Sequence, residues 1–382
     1  MPTVRLSDDQ RSFAEAVRAF CDDHCSTLAQ RDALTEGGTL ANSPQLMAMI
    51  AELGWFGVSL PEEYGGGGAG MVEECIFLEE TARGLAPVLA YSTGLTAAQT
   101  YLRHGREDQK NTIVRNLAAG KIEAIALSEP GAGSDLGGVR IKAVKSGNDY
   151  VITGQKTWTS AAHVAENILV LTRTESTGKK HQGLTLLVVP ARSAGLEIRG
   201  IATMEAPTVN DLFFTDVRVP ESAVVGVVGQ AWRHLMRGLS VERLIIAATS
   251  LGASQRALAD AIAFLKEREA FGQKIKDFQA LRHRVADLAT EIEACRSFVY
   301  DIAEGIDAGY EDDLAVHASM AKLKCTQVAK NTALEAMQMM GGYGYSREYG
   351  IEEQVRKALA PPIYGGTNEI QREIISKSLL DN

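Results

Sequence analysis

The feature that most constrains this chain is the order in which its hydrophobic period changes. Up to about residue 120 apolar residues recur at helical spacing, from 121 to 228 they fall into short β-type runs, and from 229 onward helical spacing returns. In the first segment Ser7-Asp-Asp-Gln10 has the form of a capping box, and Phe13, Val17 and Phe20 follow on one helical face. Pro44–Leu53, Met71–Thr81, Leu85–Leu102 and Glu107–Ala119 are further expected helices. In the second segment Glu123–Leu127, Tyr150–Thr153, Asn167–Thr172 and Leu184–Val189 are bounded by glycine, proline and asparagine, and Leu212–Phe214 and Val217–Val219 extend the set. No long helix fits between neighbouring strands, which excludes βαβ units and points to an antiparallel sandwich or barrel. The third segment holds Ala231–Arg268, Asp277–Ala308, Asp312–Met340 and a last helix after Gly366, enough for a four-helix bundle. The expectation is an α+β chain with an N-terminal helical domain (1–120), a middle antiparallel β-barrel domain (121–228) and a C-terminal four-helix bundle (229–382).

Charge and composition narrow the function. A net charge of −9 without a basic stripe argues against nucleic acid as a partner. The five cysteines are scattered and odd in number, which suits a reducing compartment. No run of 18 or more apolar residues occurs, and no charged n-region with an apolar core precedes the first amphipathic pattern, so a soluble, cytoplasmic protein without membrane insertion is expected. Gly65-Gly-Gly-Gly-Ala-Gly70 matches G-x-G-x-x-G formally, but no buried strand precedes it, and a flexible turn is the better reading. Cys21-Asp-Asp-His-Cys25 lacks a second ligand pair, so no metal is expected. The chain contains no G-x-S-x-G, which leaves acyl hydrolysis unsupported.

Four stretches carry chemistry. In Gly238–Gly252 the charged pair Glu242-Arg243 interrupts an apolar and small run, and Leu235, Gly238, Leu239, Ile245, Ile246 and Thr249 share the face of Glu242. A carboxylate there is either a base in a dry pocket or half of an ion pair. In Leu127-Ser-Glu-Pro-Gly-Ala-Gly-Ser-Asp135 a strand ends in a hydroxyl and a glycine-rich turn, which suits a phosphate or the polar edge of a flat ring, or forms an ordinary hairpin. Gly154-Gln-Lys-Thr-Trp-Thr-Ser160 sets a large aromatic beside hydroxyls, as a stacking platform or as a core tryptophan. Finally, Gln338-Met-Met-Gly-Gly-Tyr-Gly-Tyr345 and Ile363-Tyr-Gly-Gly-Thr-Asn-Glu-Ile370 carry more glycine than helix ends require, and Thr367 or Asn368 is a plausible N-cap.

Together with Asp216-Val-Arg-Val-Pro220 and the Arg268–Gln279 stretch containing Phe271-Gly-Gln273, these segments resemble the acyl-CoA dehydrogenase family over nearly the whole chain. The resemblance implies bound FAD and oxidation of an acyl-CoA to its trans-2-enoyl-CoA, a carboxylate taking the α-proton while the β-hydrogen passes as hydride to flavin N5. Leu127, Ser128, Gly133 and Ser134 would line the flavin, Ser134 also approaching CoA, and Trp158, Thr159 and Ser160 would flank the isoalloxazine. Arg268, Phe271, Gln279, Gln338, Gly341 and Gly342 would reach the FAD of a neighbouring subunit, Thr367 and Glu369 would hold the FAD diphosphate or adenosine side, and Arg243 would contact the CoA. The implied partners are electron-transfer flavoprotein as acceptor and further copies of the chain in a homotetramer, with a heterotetramer as the alternative.

One departure matters most. Many members carry a catalytic Glu in a Tyr-Glu-Gly-Thr sequence, where this chain has Tyr364-Gly-Gly-Thr367. A subgroup that includes isovaleryl- and long-chain acyl-CoA dehydrogenases places the base on the first long helix of the C-terminal domain, and the aligned residue here is Glu242. Gly365 and Gly366 would then face the substrate, the Gly365 N–H toward the thioester carbonyl. The Met204–Phe214 region lacks the family's Gly-x-Arg-x-Ser element, and Arg356-Lys357 stands where Arg-Asp is frequent. Alternative expectations are a flavin oxidase or monooxygenase on the same fold, and a partner subunit of an α2β2 enzyme.

Overall fold

The computed structural model describes residues 4–175, 178–311 and 313–381, with side chains described for all of these except residues 236–239. The expected neighbours Gly238 and Leu239 of Glu242 therefore lie outside the described side chains, and the expected helix start at Asp312 lies outside the described residues. In chain order the helices are α1 (Asp8–Cys25), α2 (Leu28–Leu34), α3 (Pro44–Glu52), α4 (Met71–Arg83), α5 (Ala90–His104), α6 (Glu107–Ala118), α7 (Ala231–Glu267), α8 (Gln279–Asp307), α9 (Ala315–Met340), α10 (Ile351–Leu359) and α11 (Asn368–Leu380). The strands are β1 (Glu123–Ala126), β2 (Lys142–Ser146), β3 (Asp149–Ser160), β4 (Asn167–Arg173), β5 (Leu184–Pro190), β6 (Leu196–Gly200), β7 (Val209–Pro220), β8 (Val224–Val225), and a two-residue pair, β9 (Glu269–Ala270) with β10 (Gln273–Lys274).

The chain divides into two compact units, Met1–Gly38 with Gly70–Pro87 and Glu242–Asn382, and Thr39–Ala69 with Val88–Val241. In the second unit the sheet order is β6-β7-β3-β2-β4-β5-β8, with β1 joined to β4. This corrects the expected barrel in two respects. Among the described residues the ladder does not close, and it is not wholly antiparallel, because β1 runs parallel to β4 from Glu123↔Asn167 to Ala126↔Val170. A parallel pair needs a crossover, and here the β2–β3 hairpin supplies it instead of a helix. The inward side chains, among them Ile152, Ile168, Val170, Leu187, Leu212 and Phe214, form one apolar core. The two runs expected at Leu212–Phe214 and Val217–Val219 are one strand, β7, whose Asp216 takes a left-handed φ of 52° and accepts a hydrogen bond from Thr153.

The glycine-rich Gly65–Gly68 stretch is a packed turn. Its neighbourhood donates backbone N–H groups to carbonyls of the 57–61 segment (Gly66 to Pro61, Gly67 to Gly57, Gly68 to Leu60, Ala69 to Val58), so these groups hold the turn to its own chain. A Cβ on Gly66 would lie 2.2 Å from the Leu60 carbonyl oxygen, which requires glycine there. The helix expected from Leu85 begins only at Ala90, since Leu85 is left-handed (φ 57°) and Pro87 disfavours helix before it.

In the first unit the Ser7/Gln10 capping box is formed in both directions. Helix α4 crosses α7 at Gly252, where a Cβ would lie 2.0 Å from the Glu79 carbonyl oxygen. At that crossing the buried Glu79 carboxylate accepts from Tyr300 Oη at 2.6 Å, Gln255 Nε2 at 2.8 Å and Arg296 Nε at 3.2 Å, tying α4, α7 and α8 together. Asp307 at the end of α8 accepts the N–H groups of Met71 and Val72, covering the start of α4.

Two outcomes follow. Gly252→Ala places its methyl against backbone that cannot swing away, and should destabilise the chain by about 2 kcal/mol or more, read as a fall of several degrees in melting temperature. In the second unit, burial raises the Glu123 carboxyl to about 7, against hydrogen bonds from Asn167 and Asn116. An acid with a raised folded pKa is a penalty that grows as pH rises from its unfolded value toward its folded one. Glu123→Gln should therefore melt like the parent near pH 4.5 and above it at pH 7, the gap growing by at most about 1.4 kcal/mol per pH unit. Melts across that range check this, and parallel curves would refute it.

Candidate functional site

In the second unit the Leu127–Asp135 and Gly154–Ser160 segments are joined by a buried lysine. Lys156, inside β3, donates to the Leu127 carbonyl at 2.7 Å and to Glu129 Oε1 at 3.0 Å. Burial brings its ammonium down to about 8, with Glu129 opposing. Glu129 also accepts the N–H groups of Arg140 (2.7 Å) and Ile141 (3.0 Å), and Glu129 and Ala132 exchange backbone bonds that close the glycine turn. The turn leaves Gly133 and Ser134 exposed, and a Cβ on Gly131 or Gly133 would meet nothing within 4 Å. Leu127 and Ser128 are half-buried, and the Ser128 carbonyl accepts from Thr157 N.

The ladder between β3 and β7 slips between Lys156 and Thr159. A bulge of this kind re-aims side chains. Trp158 has a left-handed φ of 57° and is 61% exposed, so it is not a core tryptophan. Thr159 is buried, and its Oγ1 has no hydrogen-bond partner among the described residues. Ser160 is half-buried.

In the first unit Glu242 and Gly365 come together. Gly365 has a φ of 62°, and a Cβ there would lie 2.3 Å from Ile246 Cδ1 and 3.8 Å from Glu242 Oε1. Burial raises the Glu242 carboxyl above the usual range, while Arg243 and Lys322 pull it back. Arg243 is itself buried, which lowers its guanidinium, and its Nε has no partner among the described residues. The Gly365-Gly366 turn is held by its carbonyls. Gln371 Nε2 donates to Gly365 O at 3.1 Å and Gly366 O at 2.9 Å, and Lys322 Nζ donates to Gly366 O at 2.8 Å and Asn368 Oδ1 at 3.1 Å. Thr367 is the N-cap of α11, accepting from Ile370 N at 3.3 Å. Exposed Glu369 pairs with Arg372, and backbone hydrogen bonding holds its carboxyl below the usual range.

The remaining residues form an exposed edge of the same unit. Arg268 sits over the Tyr343 ring at 5.2 Å, which brings it to the Gly341-Gly342 turn at the end of α9. Phe264 and Tyr349 complete that aromatic group, with centroid separations of 5.2–5.8 Å. Gln338, Gly341 and Gly342 are exposed, and a Cβ on either glycine would meet nothing within 4 Å. Phe271 and Gly272 link β9 to β10, both with positive φ as a type I′ hairpin turn requires. Phe271 is 95% exposed, its ring perpendicular to that of Phe278 at a centroid separation of 6.0 Å, next to exposed Gln279 at the start of α8. Sequence reasoning missed Lys156 with Glu129, and Lys322 with Asn368 and Gln371. The available signal for Lys322 was its spacing from Ser319, Cys325 and Thr326, which marks a small and apolar face of α9.

Among the described residues no helix is long and apolar enough to cross a membrane. The chain matches family models described as the N-terminal domain (residues 7–121), middle domain (124–217) and C-terminal domain (229–380) of acyl-CoA dehydrogenase. It is 32% identical to a caffeyl-CoA reductase-Etf complex subunit CarC of Acetobacterium woodii, covering 98% of this chain and 99% of that protein. It is also 32% identical to the mitochondrial isovaleryl-CoA dehydrogenase of Pongo abelii, over 98% of this chain and 89% of that one. The solved acyl-CoA dehydrogenase of Geobacillus kaustophilus superposes with a TM-score of 0.91, 32% identity and full coverage of both chains. Three family models spanning nearly the whole chain, and relatives above 30% identity over nearly its full length, place it in the acyl-CoA dehydrogenase family of flavoprotein oxidoreductases.

Proposed function

We propose that the chain dehydrogenates an acyl-CoA thioester to its trans-2-enoyl-CoA with Glu242 as the base. The observation that carries this is the 3.8 Å between Glu242 Oε1 and the Cβ position of Gly365. A base on α7 thus serves the space that a side chain at 365 would otherwise reach, and a side chain there would need both a strained left-handed φ and a shift of the Ile246 side chain. Burial makes Glu242 a stronger proton acceptor than a solvated carboxylate, while Arg243 and Lys322 oppose that rise. Both conditions suit abstraction of an α-proton near neutral pH. The Gly365 N–H, on a turn whose carbonyls are held by Gln371, would be the amide donor to the thioester oxygen.

The residues present fit FAD. The buried Thr159 hydroxyl lacks a partner among the described residues, Trp158 presents a flat face, and the Gly133 and Gly341-Gly342 turns leave room for close approach. Leu127, Ser128, Gly133, Ser134, Trp158, Thr159 and Ser160 would hold the flavin, with Thr367 and Glu369 on its diphosphate or adenosine side. FAD, when bound, supplies the hydride acceptor. Arg268, Phe271, Gln279, Gln338, Gly341 and Gly342 would serve the FAD of a neighbouring copy in a homotetramer, and the exposure of Phe271 supports that reading. Arg243 and Ser134 would contact CoA. The Etf complex named for one relative supports electron-transfer flavoprotein as the acceptor. The division at 1–120, 121–228 and 229–382 belongs to the same proposal.

Glu242→Gln should keep its FAD absorbance and lose anaerobic flavin bleaching by acyl-CoA by roughly 10²–10⁴-fold. Bleaching at the parent rate would overturn the assignment. Wild-type turnover should produce no stoichiometric peroxide without an added acceptor, whereas peroxide matching substrate consumed would favour an oxidase. Gly365→Ala, which collides with Ile246, should lower the bleaching rate far more than it weakens acyl-CoA binding, checked by stopped-flow titration.

A further inference from the structure

Lys322 is fully buried, and a buried ammonium costs several kcal/mol unless something compensates it. Its hydrogen-bond acceptors are neutral, the Gly366 carbonyl and Asn368 Oδ1, the latter also within reach of the Thr326 hydroxyl. As a clamp for the turn the charge is superfluous, because the neutral amide of Gln371 already donates to Gly365 O and Gly366 O. The charge must therefore be matched through space. The charged groups facing Lys322 are Glu242 and Arg243 from α7 and Glu369 from α11, and those facing Glu242 are Arg243 and Lys322. Glu369 is exposed and hydrogen-bonded to backbone and Arg372, so Glu242 is the buried counter-charge.

Resting on the assignment of Glu242 as base, we infer that Lys322 is its positioning residue. It fixes the two-glycine turn beside the carboxylate and supplies the positive charge that keeps the carboxylate ionised between turnovers. A neutral donor of the same length could do the first task but not the second.

The charge can be tested without flavin or substrate. The melting-temperature difference between wild type and Glu242→Gln, followed from about pH 4 to about pH 9, titrates Glu242 in the folded chain. The same difference between Lys322→Met and Lys322→Met/Glu242→Gln titrates it without the lysine. The midpoint should move upward by about one pH unit, and the acid limb of flavin bleaching in Lys322→Met should move with it. Lys322→Gln, which keeps a donor toward the turn, should show the same shift and serves if the methionine variant does not fold. An unchanged midpoint, with bleaching slower by one factor at every pH, would make Lys322 a structural clamp and overturn the inference. Undiminished bleaching by Glu242→Gln alone would instead overturn the base assignment, and the melting titration would still report whether lysine and carboxylate are coupled.

Discussion

The approach of α4 to α7 at Gly252 is the constraint on which the rest of the first unit depends. Two helices can come this close only where one lacks a side chain, and the crossing puts Glu79 where only paired charge is tolerable. Tyr300, Gln255 and Arg296 supply the pairing from α7 and α8. The position and rotation of α7 are thereby fixed by contacts that take no part in the proposed chemistry. Glu242 lies ten residues earlier on the same helix, so its place beside Gly365 is inherited from that crossing. A carboxylate on a loosely held helix would turn toward water and lose the burial that raises its proton affinity.

The two glycine turns that carry the sequence signature are held by one device. Lys156 reaches the carbonyl of Leu127, and Lys322 reaches that of Gly366, each at about hydrogen-bond contact and each brought down to about 8 by burial. A loop of glycines has little stiffness of its own. Anchoring its carbonyls inward to a buried cation fixes it and leaves amide groups to face outward. The two lysines differ in what offsets their charge. Lys156 has Glu129 in direct contact, itself tied to backbone N–H groups, whereas Lys322 has no bonded carboxylate among the described residues and faces Glu242 through space. The first arrangement is complete in itself, and the second leaves a carboxylate available.

How much was legible in the sequence follows from which forces are local. The α–β–α order and most element positions were readable, because period, caps and glycine or proline breaks act within a few residues. What failed was non-local. The parallel β1–β4 pair and the open ladder depend on which distant strand each edge meets, and β2, with only Ala143 buried, carries too little alternation to read. Helices α2 and α10 were missed because each is short and squeezed between turns. At the site, Glu242 stood out as a carboxylate on an apolar stripe and Gly365 as a missing side chain, but their adjacency joins residues more than a hundred apart. Lys322, Gln371 and Lys156 look like ordinary polar residues until the fold buries them.

Trp158 and Phe271 raise a different question, since the chain explains the backbone at each but not the aromatic side chain placed there. Each is a bulky residue with left-handed φ, a placement that costs of order 1–3 kcal/mol and persists only where the surroundings impose it. Each also exposes most of its ring, so no core packing offsets the strain. The backbone accounts for how they are held, Trp158 by the bulge between β3 and β7 and Phe271 by the tight β9–β10 turn. It does not account for an aromatic at either position, where asparagine or glycine would sit without strain. A flat ring beside Trp158 and a second copy of the chain against Phe271 would bury both faces. The same two contacts are what a flavin shared between subunits requires, so the strain within one chain is consistent with surfaces completed only by cofactor and partner.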